Sequence, residues 1–213
     1  MKKQYLFLTL LFLLFNANAQ ELYISSGKNS TSFDYKSTNG SDKNLDFRRG
    51  LGNNLEIGYK STFKNDRYIY AIGLAYNEFN AEASNYATNY SWETKYIGII
   101  NKISYNLANT TSNCCFGLDI NAFFNIGVTT ATLLSGKQFI NNYYYDLAKH
   151  EDFSGILLQP FVGFSTQYTV SRNFRLNLEY NFSKTFNLLN KATEKISFNT
   201  SQFQLGIQVS LLR

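Results

Sequence analysis

One proline, one histidine and one tryptophan occur in 213 residues, and the two cysteines are adjacent. Each scarcity excludes something. A chain nearly free of proline keeps long strand ladders unbroken. Cys114 and Cys115 are no disulfide framework, which needs several spaced cysteines. A bond between strand neighbours is strained, because their side chains point to opposite faces, so two unpaired thiols are expected. No His or Asp stands at metal-ligand spacing from them, and no cofactor motif is present, so neither metal nor cofactor is expected. His150, in His150-Glu151-Asp152, is the only histidine; a catalytic triad is recognised by geometry rather than by such a cluster, and no enzyme is expected. The 20 Lys and Arg against 15 Asp and Glu give a net charge of +5, too mild to argue for nucleic acid.

Long apolar runs are missing too, with one exception at the start. Lys2 and Lys3, the apolar run Tyr5 to Phe15 and the small-residue site Ala17-Asn18-Ala19 predict a cleaved secretory signal over 1–19. Its apolar core is shorter than the ~20 residues a membrane helix takes. Residues 20–213 then form one domain with a net charge of +3, since Lys2 and Lys3 leave with the signal.

What the chain does have is aromatic residues, 19 Phe and 16 Tyr, and a period-two alternation repeated strand after strand. Between Arg67 and Phe79 one face carries Tyr68, Tyr70, Ile72, Leu74 and Tyr76, the other Ile69, Ala71, Gly73, Ala75 and Asn77. Similar patterns occupy 49–63, 92–107, 114–131, 155–170, 173–187 and 202–211. A weaker one over 21–36 completes eight strands. Connections alternate between long polar segments (37–48, 80–91, 132–154, 188–200) and short turns (64–66, 108–113, 171–172). That asymmetry belongs to outer-membrane barrels, and it predicts both termini on the periplasmic side with the long loops extracellular.

Layering separates a membrane barrel from a soluble one. Aromatics (Phe63, Tyr68, Tyr70, Tyr105, Phe116, Tyr168, Phe174) open the apolar face near the short turns, aliphatics fill its middle, and aromatics return at Tyr76, Phe124, Tyr180, Phe182 and Phe203. Two aromatic girdles around an aliphatic band match the two interfaces of a bilayer. The opposite face is rich in Gly, Asn, Gln and Ser, which suits the crowded interior of eight strands. The expected fold is therefore an all-β, eight-stranded antiparallel up-and-down transmembrane β-barrel in the bacterial outer membrane, with membrane lipid as its first partner.

The segment Tyr96-Ile97-Gly98-Ile99-Ile100-Asn101-Lys102-Ile103-Ser104-Tyr105-Asn106 resembles the Y-L-x-I-P-L-x-x-x-Y strand of PorT-like outer-membrane barrels, similar in design to the OmpA/OmpX kind. Ile100 stands where that group usually has proline. The resemblance implies an integral outer-membrane protein, and no single activity.

Six charges face the lumen in this register: Glu56, Lys60, Lys102, Asp119, Arg175 and Glu179. Three of each sign balance, and buried charges need partners, so a structural salt-bridge network is expected; an ion path is the alternative use of the same groups. Asn101 breaks the lipid-facing register and is a candidate contact for another outer-membrane protein docking on the wall. Tyr86, Tyr90 and Trp92 in the second long loop, and Tyr143, Tyr144 and Tyr145 in the third, are candidate binding aromatics; a thickened girdle is the plain alternative. The function expected is that of a non-enzymatic barrel, an accessory subunit of a larger complex or a structural or adhesive surface protein. A small pore or, further off, a rim enzyme is the alternative. A protease added to intact cells is expected to cut within 132–154 and spare 108–113; cutting at 108–113 alone would invert the topology.

Overall fold

The computed structural model describes residues 20–36, 46–63, 67–85, 88–107, 120–141, 143–147, 155–187 and 195–211. The expected leader, Cys114, Cys115, Phe116 and Asp119, Tyr86 and His150 lie outside these described residues. Ten strands follow in chain order: β1 (Gln20–Lys36), β2 (Asp46–Phe63), β3 (Tyr68–Asn85), β4 (Thr88–Asn106), β5 (Ile120–Ile140), β6 (Tyr143–Asp146), β7 (Ile156–Ser171), β8 (Phe174–Lys184), β9 (Phe186–Asn187) and β10 (Lys195–Ser210). All pairings are antiparallel, each long strand pairs with the next, and β10 pairs with β1 to close the ring. β6 folds back antiparallel on the last residues of β5, and β9 continues β8 beyond Thr185 to pair with β7. The fold is thus the all-β, eight-stranded antiparallel up-and-down transmembrane barrel.

Register fixes its shape. From Gly27, one hydrogen-bonded row runs through Asn54 and Asn77 to Tyr96 on β4. The same row followed the other way, through Gln204, Glu179, Ser165 and Phe123, reaches β4 at Asn106. That ten-residue offset makes the strands tilt against the barrel axis, as closure requires.

Along each strand, polarity is sorted twice. Near the end that holds Gln20 and Ser210, apolar residues point out and polar ones in. On β3, Tyr68, Tyr70, Ile72, Leu74 and Tyr76 form the outward series, with Ala71, Ala75 and Asn77 buried inside. Nine residues at ~3.3 Å each and a tilt of ~40° rise about 23 Å, close to the apolar band of a membrane barrel. Beyond Tyr76 the order reverses. Glu78, Asn80 and Glu82 face out, while Phe79, Ala81 and Ala83 are buried. On β3 and β4 the far third is therefore sorted like a water-soluble strand, apolar in and polar out.

This reversal corrects the expected loops. Residues 80–85 and 88–91 are strand, joined across 86–87, and 132–140 continue β5 rather than forming a loop. The alternation stayed regular there, but its polarity changed sign and read as solvated loop. Phe124 is a second correction. It pairs with Tyr105, which pairs with Tyr68, so it belongs to the girdle at the end holding the termini rather than to the far one.

Three ladders among the described residues carry an extra residue: one is Val170, where β7 turns into β8, and the other two lie toward the far end. β2 carries one extra residue between Arg49 and Asn54 opposite β3, and β5 carries Leu134 as an extra residue opposite Lys95 and Tyr96. Each shifts the inward–outward parity of its strand beyond that point.

The interior is tight enough to need glycine at particular places. Gly58 and Gly73 face each other in register beside Tyr23, whose ring is buried at 1% exposure. A Cβ on Gly73 would meet the Ile57 carbonyl oxygen on β2 and stand 2.9 Å from the Tyr23 hydroxyl, so glycine there lets both the neighbouring backbone and this ring come close. Gly73→Val is expected to lower the stability of the folded barrel in detergent by about 1–3 kcal/mol, the usual cost of overpacking, read from its urea midpoint. Tyr23→Phe in the same background is expected to recover part of the loss; an unchanged midpoint in Gly73→Val would show that glycine is not needed there.

Candidate functional site

Five of the six lumen charges expected from the sequence, Glu56, Lys60, Lys102, Arg175 and Glu179, lie among the described residues, and Glu21 joins them inside the barrel. Lys102 on β4 is 2% exposed and donates to both carboxylate oxygens of Glu179 on β8, at 2.7 and 2.8 Å. It also lies 3.8 Å from Glu56 on β2. Glu179 accepts further bonds from Asn181 at 2.7 Å and Asn177 at 3.4 Å, and Glu56 accepts from Gln204 at 2.7 Å. Arg175 on β8 pairs with Glu21 on β1. Lys60 lies over the Tyr23 ring, 5.0 Å from its centroid, and Lys102 approaches the same ring at 5.8 Å. With its amide turned to satisfy its neighbours, Gln208 accepts from Lys60 at 2.8 Å and donates to Glu21 at 3.2 Å. Among the described residues, three carboxylates (Glu21, Glu56, Glu179) meet three cations (Lys60, Lys102, Arg175). Sequence reading missed Glu21 and Tyr23 because β1 alternates poorly. It turns Tyr23 and Phe33 inward and Ser26 and Lys28 outward.

Above the charges lies a ladder of amides. Gln204 donates to Asn54 at 3.0 Å, Asn54 to Asn29 at 2.9 Å, Asn29 to Asn77 at 3.2 Å, and Gln202 to Asn77 at 3.4 Å. The far end is sealed by rings. Phe33 stacks on Phe198 at 4.4 Å, Phe79 meets Phe198 at 5.6 Å and Tyr96 at 5.7 Å, and Ala131, Leu147 and Leu157 complete the cluster. Ion pairs, amides and aromatics thus fill the barrel in three successive layers, and a low-dielectric interior favours ion pairs that are also hydrogen-bonded, as Lys102 and Glu179 are.

On the outer wall, Asn101 keeps its lipid-facing register, and Tyr70 on β3 donates to its Oδ1 at 2.8 Å. The side-chain carbonyl therefore finds its partner within the barrel, which removes part of the reason for a protein to dock there. The rim aromatics divide. Tyr143, Tyr144 and Tyr145 are exposed on β6. Trp92 is not the loop residue expected from the sequence. It sits on β4 and packs inward on the aromatic cluster, with Phe33 at 5.6 Å and Tyr90 stacked on it at 5.8 Å.

Lys102 neutralises two buried carboxylates at once, so Lys102→Met is expected to destabilise the folded barrel by about 3–5 kcal/mol, measured by urea unfolding in micelles. The double variant Lys102→Met, Glu179→Leu is expected to regain part of that. A single variant as stable as the wild type would dismiss the network as a stabilising core.

No protein-family model matches the chain, the PorT-like group included, and no curated protein matches it. Among solved structures it is similar to Neisserial surface protein A (NspA), at 11% identity over 89% of this chain and 97% of that one, with a TM-score of 0.48. It is similar also to OprG from Pseudomonas aeruginosa, at 11% identity over 92% and 98%, TM-score 0.48. A third is Ail, the attachment invasion locus protein of Yersinia pestis, at 15% identity over 90% and 99%, TM-score 0.39. Each is a likeness in shape alone, and function has to be read from this chain's own residues.

Proposed function

We propose that the chain is an integral protein of the bacterial outer membrane that works without catalysis, as a structural or adhesive barrel acting through its far rim. The observation that carries this is the filled lumen. Lys102, Glu56 and Glu179 are each 1–2% exposed, and the rings of Phe33, Phe79 and Phe198 close over the amide ladder behind them. A barrel packed in this way offers its surroundings only its outer surfaces. Two further features support the reading. An apolar exterior around a polar interior, with every strand paired in a closed ring, is how a β-protein crosses hydrocarbon. The termini share one end of the barrel, so with both in the periplasm the far third, including β6, stands outside the cell.

Under this reading a pore is disfavoured, because opening one would separate buried ion pairs and also part the aromatic seal. An accessory role in a larger complex would use the same rim. The purified barrel in a planar bilayer is expected to show no steady channel. Stable, ion-selective conductance from the wild type would overturn the reading and put the lumen, not the rim, at the centre of function.

A further inference from the structure

On the outside of the far third, one row crosses five strands: Arg48 on β2, Glu82 on β3, Ser91 on β4, Phe139 on β5 and Tyr144 on β6. Two of these residues face outward only because of the bulges. Below the β2 bulge the outward positions are odd-numbered (Asn53, Leu55, Ile57), and beyond it Arg48 takes the outward place opposite Glu82. Below the β5 bulge the outward positions are even-numbered (Ile126, Thr130, Thr132), and beyond it Phe139 faces out opposite Ser91. Bulges serve to re-aim side chains, and here the two of them bracket one groove.

That groove has a volume of about 410 Å³, within the range of small-molecule sites. Its polar side is the facing pair Arg48 and Glu82, both exposed; its apolar side is Phe139, whose ring lies 6.0 Å from that of Tyr144. Ser91, small and half-buried, separates the two. The upper lip is held in place: Asn89 N–H donates to Asn141 Oδ1 at 3.0 Å, and Asn141 N–H donates back to Asn89 O at 3.1 Å. Asn141 has φ of 46°, the left-handed conformation that asparagine adopts more readily than most residues.

We propose that this groove binds a saccharide, one ring seated over Ser91 between Phe139 and the Arg48–Glu82 pair. A pyranose has an apolar C–H face that suits an aromatic ring and a rim of hydroxyls. Vicinal hydroxyls match the planar two-point donors of a guanidinium and the two acceptors of a carboxylate. A hydrocarbon chain would leave both charges unsolvated, and the groove lies beyond the apolar band, at Glu82 rather than below Tyr76. The assignment rests on the reading that this end is external. The sugar comes either from the headgroup of a glycolipid in the same membrane or from a soluble glycan.

The chain carries its own reporter. Trp92 is its only tryptophan, and it stacks on Tyr90, which lines the groove. Detergent-purified barrel is titrated with the core oligosaccharide of lipopolysaccharide freed of lipid, and separately with lacto-N-neotetraose, following Trp92 emission and binding heat. A saturable response to the first alone assigns the glycolipid headgroup, and to the second alone a soluble glycan. Ser91→Tyr, which fills the groove but removes none of its polar groups, is expected to weaken binding at least tenfold while its folded band on a cold gel persists. Lys28→Ala, on the wall below, is expected to bind as the wild type does. No response to either sugar at ~10 mM, where even millimolar sites fill, overturns the proposal, and so does unchanged affinity in Ser91→Tyr. Either result leaves the filled-lumen reading standing, since that one falls only to conductance.

Discussion

Closure of the strand ring is the constraint on which the other features depend. In hydrocarbon a backbone amide has no water to turn to, so the sheet must leave no open edge. β1 and β10 meet this condition with an unbroken ladder from Glu21↔Ser210 to Lys36↔Lys195. Eight strands with a ten-residue offset make a narrow tilted cylinder. Narrowness then dictates the interior: glycines opposite Tyr23, carboxylates shared by a single lysine, and amides that bond to one another. A lumen of that width leaves charge no place to be solvated, and ion pairing follows.

The same strands serve two solvents. Up to Tyr76 and Ile97 the outward side chains suit lipid; from Glu78 and Lys95 they suit water. At that boundary Glu78 accepts from the Tyr76 hydroxyl at 2.7 Å and from Asn53 at 2.7 Å, with Lys95 at 3.7 Å. Polar groups that would be costly in hydrocarbon are thus gathered at its edge, where water still reaches them. The bulges in β2 and β5 lie in the far third or at its border, where a lost ladder bond can be made good by solvent.

Most of the architecture was legible in the sequence because a lipid-facing strand must alternate, and seven of the eight do so plainly. The lumen residues Glu56, Lys60, Lys102, Arg175 and Glu179 followed from parity alone. β1 was harder to read, since Tyr23 points inward beside glycines that two other strands provide. That relation exists only in three dimensions. The far third was misread for a physical reason: hydrophobicity reports a residue's solvent, not its strand. Phe79, Ala81 and Ala83 alternate with Glu78, Asn80 and Glu82 as regularly as the residues before them, with the sign reversed. Arg48 and Phe139 could not have been placed in one row without the bulges, whose single extra residues leave no mark in composition.

The reversal of polarity bears on how the chain enters a bilayer. If the end holding Gln20 and Ser210 stays on the side of entry, each hairpin carries its water-facing third through hydrocarbon before the barrel stands upright. On β3 and β4 that load includes Glu78, Glu82, Glu93 and Lys95. Ionised side chains are costly at the bilayer centre, so moving these tips across would add to the insertion barrier. Thin or locally disordered membranes lower it, and a catalyst that opens a lateral polar path would act on this step.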